Sequence, residues 1–204
     1  MRNRRIVYLA FLLPILCLWF SLSSLAVELG FEAEDADPII PEMAIFEDQN
    51  ASGGKYIAAG LGNGGRHPGQ AEYSIDIFVA GEYSIWGRIL TTDTSNDSFH
   101  VTIDDEKSPQ AADAEKIWDA GQPFLEWAWS KVTWREQNPL SFQLEKGSHK
   151  LIVWAREGNT RLDAIYVSTD PNAIPKLPEE IEEPGKAVEA NGKLTTFWGR
   201  VRTR

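Results

Sequence analysis

Four tryptophans crowd one short stretch of this 204-residue chain: Trp118, Trp127, Trp129 and Trp134. Trp127 and Trp129 are two residues apart, so in a strand their rings project to one face. An indole face stacks well on the apolar face of a sugar ring, provided a few polar groups stand nearby to take the hydroxyls. Residues Glu106–Pro123 are polar and small and read as a long loop. Trp118, inside it, is therefore expected to face a ligand. For Trp127 and Trp129, a ligand platform and a place in the core are equal alternatives. Trp86 and Trp154, in mid-strand, read as core.

Carboxylates offer a second chemistry. Glu32 and Glu34 also share one strand face, and hard oxygen donors of this kind suit calcium. Asp163 could complete such a site if the first and last strands are neighbours; on spacing alone the three read equally as surface acids. Hydrogen-bonding groups are dense in Thr92–Ser98 (TDTSNDS), and Arg156 and Glu157 follow a strand. Loops at one end of a β-sandwich are where such folds place binding sites.

Catalysis finds little support. Cys17 is the only cysteine, and it lies in a segment expected to be removed. His100 and His149 fall in strands, where a structural role is expected, and His67 lies in a glycine-rich connector, Gly60–Gly69. There is no nucleophile elbow, no His-Glu-x-x-His and no phosphate-binding loop. No aromatic-flanked carboxylate pair stands at a strand end of the kind glycoside hydrolysis would use. A binding protein is expected rather than an enzyme.

The elements that must position these residues are strands. Ala71–Ala80 alternates Tyr73, Ile75, Ile77 and Val79 on one face, and Tyr83–Leu90 resumes the alternation after Gly81-Glu82, which predicts a hairpin. Leu140–Leu144 and His149–Ala155, joined at Lys146-Gly147, predict a second. Ser98–Ile103, Phe124–Trp134 and a closing strand Arg161–Ser168 complete the pattern. Several short strands with regular turns predict an all-β sandwich or barrel.

Flanking segments differ. Arg2, Arg4 and Arg5 precede an apolar run, Ile6–Phe20, and a small-residue stretch to Ala26, the layout of a signal peptide over residues 1–26. Export is therefore expected, with the membrane involved only if the segment stays as an anchor. Its removal takes the formal charge from −10 to −13, because it carries three arginines and no acid. Such acidity disfavours nucleic acid and anionic membranes but suits neutral glycans and divalent cations. The mature chain has no cysteine and hence no disulfide. After Asp170, prolines surround a run of glutamates, which predicts a linker over 171–186, followed by a basic, aromatic tail over 187–204.

Several segments taken in order resemble the carbohydrate-binding modules of families 6 and 35. They are Glu32-Ala33-Glu34, Ala51–Ile57 (ASGGKYI), Tyr73–Val79 with Gly81–Arg88 (GEYSIWGR), Leu144–Leu151 (LEKGSHKL) and Leu162-Asp163-Ala164-Ile165. The resemblance runs from about Leu29 to Asp170. It implies a galactose-binding-like jelly-roll β-sandwich over 29–170. It implies a structural calcium held by Glu32, Glu34 and Asp163, with backbone oxygens from Ser52–Gly54. It also implies glycan binding in loops at one end, for which loop position selects Asn96, Asp97, Trp118, Trp127, Trp129, Arg156 and Glu157. The expected function is that of a secreted, non-catalytic, monomeric module that binds a polysaccharide or glycan. The alternative is an extracellular protein-interaction or adhesion module acting partly through its C-terminal tail.

Overall fold

The computed structural model describes residues 26–62, 66–107, 116–135 and 140–181. The expected signal segment, except Ala26, and the expected tail 187–204 lie outside the described residues. No helix among the described residues is long and apolar enough to cross a membrane.

The strands are β1 (Glu28–Glu32), β2 (Ile39–Ile40), β3 (Ala44–Glu47), β4 (Lys55–Ala58), β5 (Gln70–Ile77), β6 (Gly81–Leu90), β7 (Ser98–Ile103), β8 (Ile117–Asp119), β9 (Ala128–Lys131), β10 (Phe142–Leu144), β11 (Gly147–Ala155) and β12 (Arg161–Ser168). They form two antiparallel sheets. One has the order β10-β6-β12-β4-β3, with β9 also paired to β6 and β1 to β12. The other has the order β2-β5-β11-β7-β8. The protein is an all-β sandwich, as its alternating sequence requires.

Alternation builds the core directly. Ala71, Tyr73, Ile75 and Ile77 of β5 point inward, as do Tyr83, Ile85 and Ile89 of β6, Phe99 and Val101 of β7, and Leu151 and Val153 of β11. In β12 the inward residues are Leu162, Ile165 and Val167. Leu162 and Ile165 are three apart, an odd spacing that a regular strand cannot place on one face. The register against β6 shifts between Leu162 and Ala164, so that Asp163 is an extra residue at a bulge. That irregularity lets the strand keep its core residues while aiming one carboxylate elsewhere.

Neither expected hairpin exists. β5 pairs with β2 and β11, whereas β6 pairs with β12, β9 and β10 in the opposite sheet. Likewise β10 lies beside β6 and β11 beside β5. Both turns are arches that carry the chain between sheets. They lie together, since Ile77 is opposite Gly147 in one sheet and Gly81 is opposite Leu144 in the other. Val79, expected to continue the inward face, is 57% exposed at the arch, beside Phe78 at 60%.

Trp118 also departs from expectation. It belongs to β8, not to a loop, and is 1% exposed. Its ring packs on Phe99 at 5.8 Å between centroids, and its indole N–H donates to Ser130 Oγ at 3.2 Å. Gly87 lies beneath the ring, and a methyl group there would run into it. The indole fills the space between the sheets and offers no face to a ligand.

The described part of the expected linker has defined contacts. Pro171–Ile181 is packed on the sandwich: Lys131 Nζ donates to the Pro171 carbonyl at 3.1 Å, and Lys176 pairs with Glu28 at 2.6 Å. A short 3-10 turn, Pro178–Glu180, lies against β1.

Candidate functional site in the loops and beneath the first strand

Strand register brings four connections to one end of the sandwich. Ala58 and Leu90 both lie opposite Arg161, Trp154 opposite Gln70, Ala155 opposite Phe99, and Ser98 opposite Asp119. The connections 59–62 with 66–69, 91–97, 120–127 and 156–160 are therefore neighbours. Backbone bonds tie them together: Ala120 N–H donates to the Asp97 carbonyl at 2.8 Å, Leu125 N–H to Thr91 at 2.8 Å, and Asn159 N–H to Ala59 at 3.3 Å.

Four expected site residues meet here. Glu157 accepts from the Asp97 N–H at 3.2 Å and from the Ser98 hydroxyl at 2.5 Å, and it pairs with Arg156. Arg156 also donates to Ser98 Oγ. The amide nitrogen of Asn96 donates to Asp93 at 3.0 Å, while its Oδ1 is buried with no hydrogen-bond partner among the described residues. Arg156 Nε is in the same condition. Burial, then the nearby charges of Glu157 and Asp119, push the Asp97 carboxyl up to about 6.

Arg156 also walls a cleft of about 530 Å3 on the outer face of the five-stranded sheet. Trp154 and His100 form its floor, and Arg66, His67 and Gln70 share its walls. Trp154 Nε1 donates to Thr102 Oγ1 at 3.0 Å, which fixes the indole. This cleft was not legible in the sequence. Trp154 reads there as core, but it lies on the face opposite Leu151 and Val153 and is 8% exposed. Gln70, His100 and Trp154 become neighbours only through the register of β5, β11 and β7.

Trp127 and Trp129 lie on the other sheet. Trp127 meets Tyr56 edge-on at 5.6 Å, with the Arg88 guanidinium over its ring at 5.6 Å. Trp129 meets Tyr166 at 6.3 Å. The two indoles share the outer face of the seven-stranded sheet. Trp86, covered by Tyr166 and Lys131, belongs to that face and not to the central core. The seven expected ligand residues thus divide into a polar loop cluster, an outer aromatic face, and Trp118 buried between the sheets.

The acidic residues do converge. β1 pairs with β12, which brings Glu32 beside Ala164. The turn Ser52–Gly54 between β3 and β4 closes over them. Ser52 N–H donates to Asp163 Oδ1 at 2.8 Å, and Ser52 Oγ donates to Glu32 Oε1 at 2.7 Å. Gly53, at φ 58°, passes so close that a Cβ would stand 3.2 Å from Glu34 Oε1. Asp163 is fully buried, and its second oxygen pairs with Arg88. Burial pushes its carboxyl up to about 6 despite that arginine. Burial also raises Glu32, reinforced by the charges of Glu34, Asp163 and Glu179.

Glu32 Oε2 and Glu34 Oε2 are buried with no hydrogen-bond partner among the described residues. Unpartnered hard oxygens in a negatively charged cluster have the chemistry a hard divalent cation takes. As the side chains stand, no three His, Cys, Asp or Glu among the described residues are arranged to hold an ion. Asp163 Oδ1 accepts from Ser52 N–H and its Oδ2 pairs with Arg88.

No family model matches the chain, and no curated protein sequence does. Solved structures do. A family 35 carbohydrate-binding module from Clostridium thermocellum matches at a TM-score of 0.51 and 17% identity, covering 69% of this chain and 97% of the module. A module from Cellvibrio mixtus lichenase 5A, in complex with cellotriose, matches at 0.47 and 17%, covering 69% of this chain and 96% of that one. The C-terminal family 6 module of a Zobellia galactanivorans laminarinase matches at 0.46 and 14%, covering 70% and 99%. The chain has the β-sandwich fold of the family 35 module.

Proposed function

We propose that this sandwich is a secreted, non-catalytic module that binds a glycan in the cleft beside its loop end. One observation carries the reading: a cleft of about 530 Å3 has an indole in its floor and charged or amide side chains on its walls, and it shares Arg156 with the loop cluster. That size suits a short oligosaccharide segment. Trp154 supplies an apolar surface, and Arg66, His67, Gln70 and Arg156 can exchange hydrogen bonds with hydroxyls. The fold supports the reading, since the matched structure is a carbohydrate-binding module. The apolar N-terminal segment supports export.

The reading includes a structural calcium at the acidic cluster, with Glu32 and Glu34 as ligands and Asp163 ordering the cluster through Ser52. A bound cation would neutralise carboxylates that otherwise repel one another and would pin the first strand to the last.

The test is a glycan array probed with the purified chain in calcium, followed by titrations of variants. Saturable binding to one glycan class is expected. Arg66→Ala and Gln70→Ala should each weaken it by about tenfold, equivalent to ~1.4 kcal/mol, while Trp127→Ala leaves it unchanged. A blank array with folded protein would overturn the proposal. Loss in Trp127→Ala alone would move the site to the seven-stranded sheet.

A further inference from the structure

A second depression, of about 270 Å3, lies on the same sheet face as the cleft, and Glu72, Ser74, Ser148 and Lys150 are in its lining. Strands β5 and β11 connect the two. Trp154 lies opposite Gln70 in the cleft, Ile152 opposite Glu72, and Lys150 opposite Ser74 in the depression. These residues alternate with Ala71, Tyr73, Leu151 and Val153, which face the core, so all of them share the outer face. From Trp154 to Ser148 the strand pair runs about 20 Å at the rise of an antiparallel strand.

Between the two stands one exposed ion-paired group. Lys150 Nζ meets Glu72 at 3.2 Å and Glu106 at 2.7 Å. Glu72 also accepts from Gln70 Nε2 at 2.6 Å, so a single carboxylate joins the cleft to the depression. The Lys150 side chain is 42% exposed and that of Glu106 71%, and ion pairs this exposed contribute little, so the ammonium can exchange an acceptor at small cost. Beyond it, Ser74 Oγ and Ser148 Oγ meet at 2.9 Å. Two hydroxyls that share one hydrogen bond keep one proton and several lone pairs for a ligand. The charges of the two places differ. The cleft carries Arg66 and Arg156, whereas the depression sets Asp37, Glu72 and Asp104 against Lys150 and His149. An anionic chain spanning both would meet carboxylates at its far end, while a neutral one meets donors and acceptors throughout.

We propose that the cleft and this depression are the two ends of one track, and that the protein binds a linear, neutral polysaccharide along its length over β5 and β11. Sugar rings at the loop end lie on Trp154. Those at the far end exchange hydrogen bonds with Ser74, Ser148 and Lys150, whose ammonium turns from Glu72 to a ligand hydroxyl. Affinity therefore rises with chain length until both ends are filled. This inference rests on the glycan reading above and names the class of glycan.

The experiment is calorimetric titration of the full chain with β-1,4-linked gluco-, xylo- and manno-oligosaccharides, each as trisaccharide and hexasaccharide. One series should bind, the hexasaccharide tighter by at least about tenfold. Ser74→Ala combined with Ser148→Ala should weaken the hexasaccharide by about tenfold and leave the trisaccharide unchanged, whereas Arg66→Ala should weaken both. Acylation of lysines, read by mass spectrometry on the unaltered chain, should show Lys150 protected by the hexasaccharide and not by the trisaccharide. Equal affinity for the two lengths, a hexasaccharide indifferent to the serine changes, or Lys150 acylated equally with and without it overturns the track and leaves the glycan reading standing. Array binding confined to charged or branched glycans, with all three series silent, does the same. No binding to any glycan overturns both.

Discussion

The loop end and the acidic cluster are both made of charged side chains, but their charges are balanced differently. At the loop end two of the acids are paired with arginines: Glu157 with Arg156, and Asp119 with Arg135. Beneath β1, four carboxylates gather, and among the described residues only Arg88 forms an ion pair with them. A balanced surface of donors and acceptors can exchange its partners for the hydroxyls of a neutral ligand at little electrostatic cost. An unbalanced, half-buried cluster gains most from one compact positive charge. The difference separates a place built for recognition from a place built to be neutralised.

The hardest test of that separation strikes the support beneath the loop end. Trp118→Ala should destabilise the fold by about 3–5 kcal/mol through the cavity it leaves, measured by chemical denaturation. A small loss would mean that the ring is not the wedge between the sheets. Chelation comes next. With calcium held at ~100 times its dissociation constant, its removal should cost about 2.7 kcal/mol, read as a fall in melting temperature. The same treatment of Glu32→Gln should change nothing, and an unchanged melting curve in the unaltered protein would count against a cation beneath β1.

The smallest effect sharpens the comparison at the loop end. The Asp97 carboxyl titrates near 6 in the folded chain, above its ordinary 3.8, so folding favours its protonated form. Its contribution is therefore most favourable below pH 4 and is lost as pH rises through 6. Asp97→Asn should stabilise the fold at pH 8 by less than about 1 kcal/mol after solvent screening, read as a higher melting temperature, and leave it unchanged at pH 4. A gain at both pH values would point to packing instead of charge.

Strand periodicity made most of the fold legible. Arg161–Ser168 and Ser98–Ile103 are strands with the bounds that alternation gives them. Periodicity says which residues face inward, but not whether a strand bonds to its predecessor or crosses to the other sheet. That is why two tight turns with hairpin signals prove to be arches. Trp118 escaped because β8 is three residues long, too short to show a period inside a polar stretch. Glu32, Glu34 and Asp163 were grouped by the family resemblance and not by spacing; the pairing of the first and last strands brings them together. Their partner Glu179 was not, since a glutamate among prolines looks like solvent-facing linker until the turn at 178–180 is seen. The cleft was illegible for a related reason: Gln70, His100 and Trp154 sit on three strands whose order no local pattern encodes.

The strands at the sheet margins are short. β2, β3, β8, β9 and β10 run two to four residues and β1 five, whereas β5, β6, β11 and β12 in the interior run eight to ten. A long bare margin is a template on which a strand from another molecule can polymerise. Here the outermost strands each offer only a few backbone groups, so an incoming strand finds few bonds along them. A crowded solution of this protein should resist fibril formation even though its interior is built from β-prone sequence.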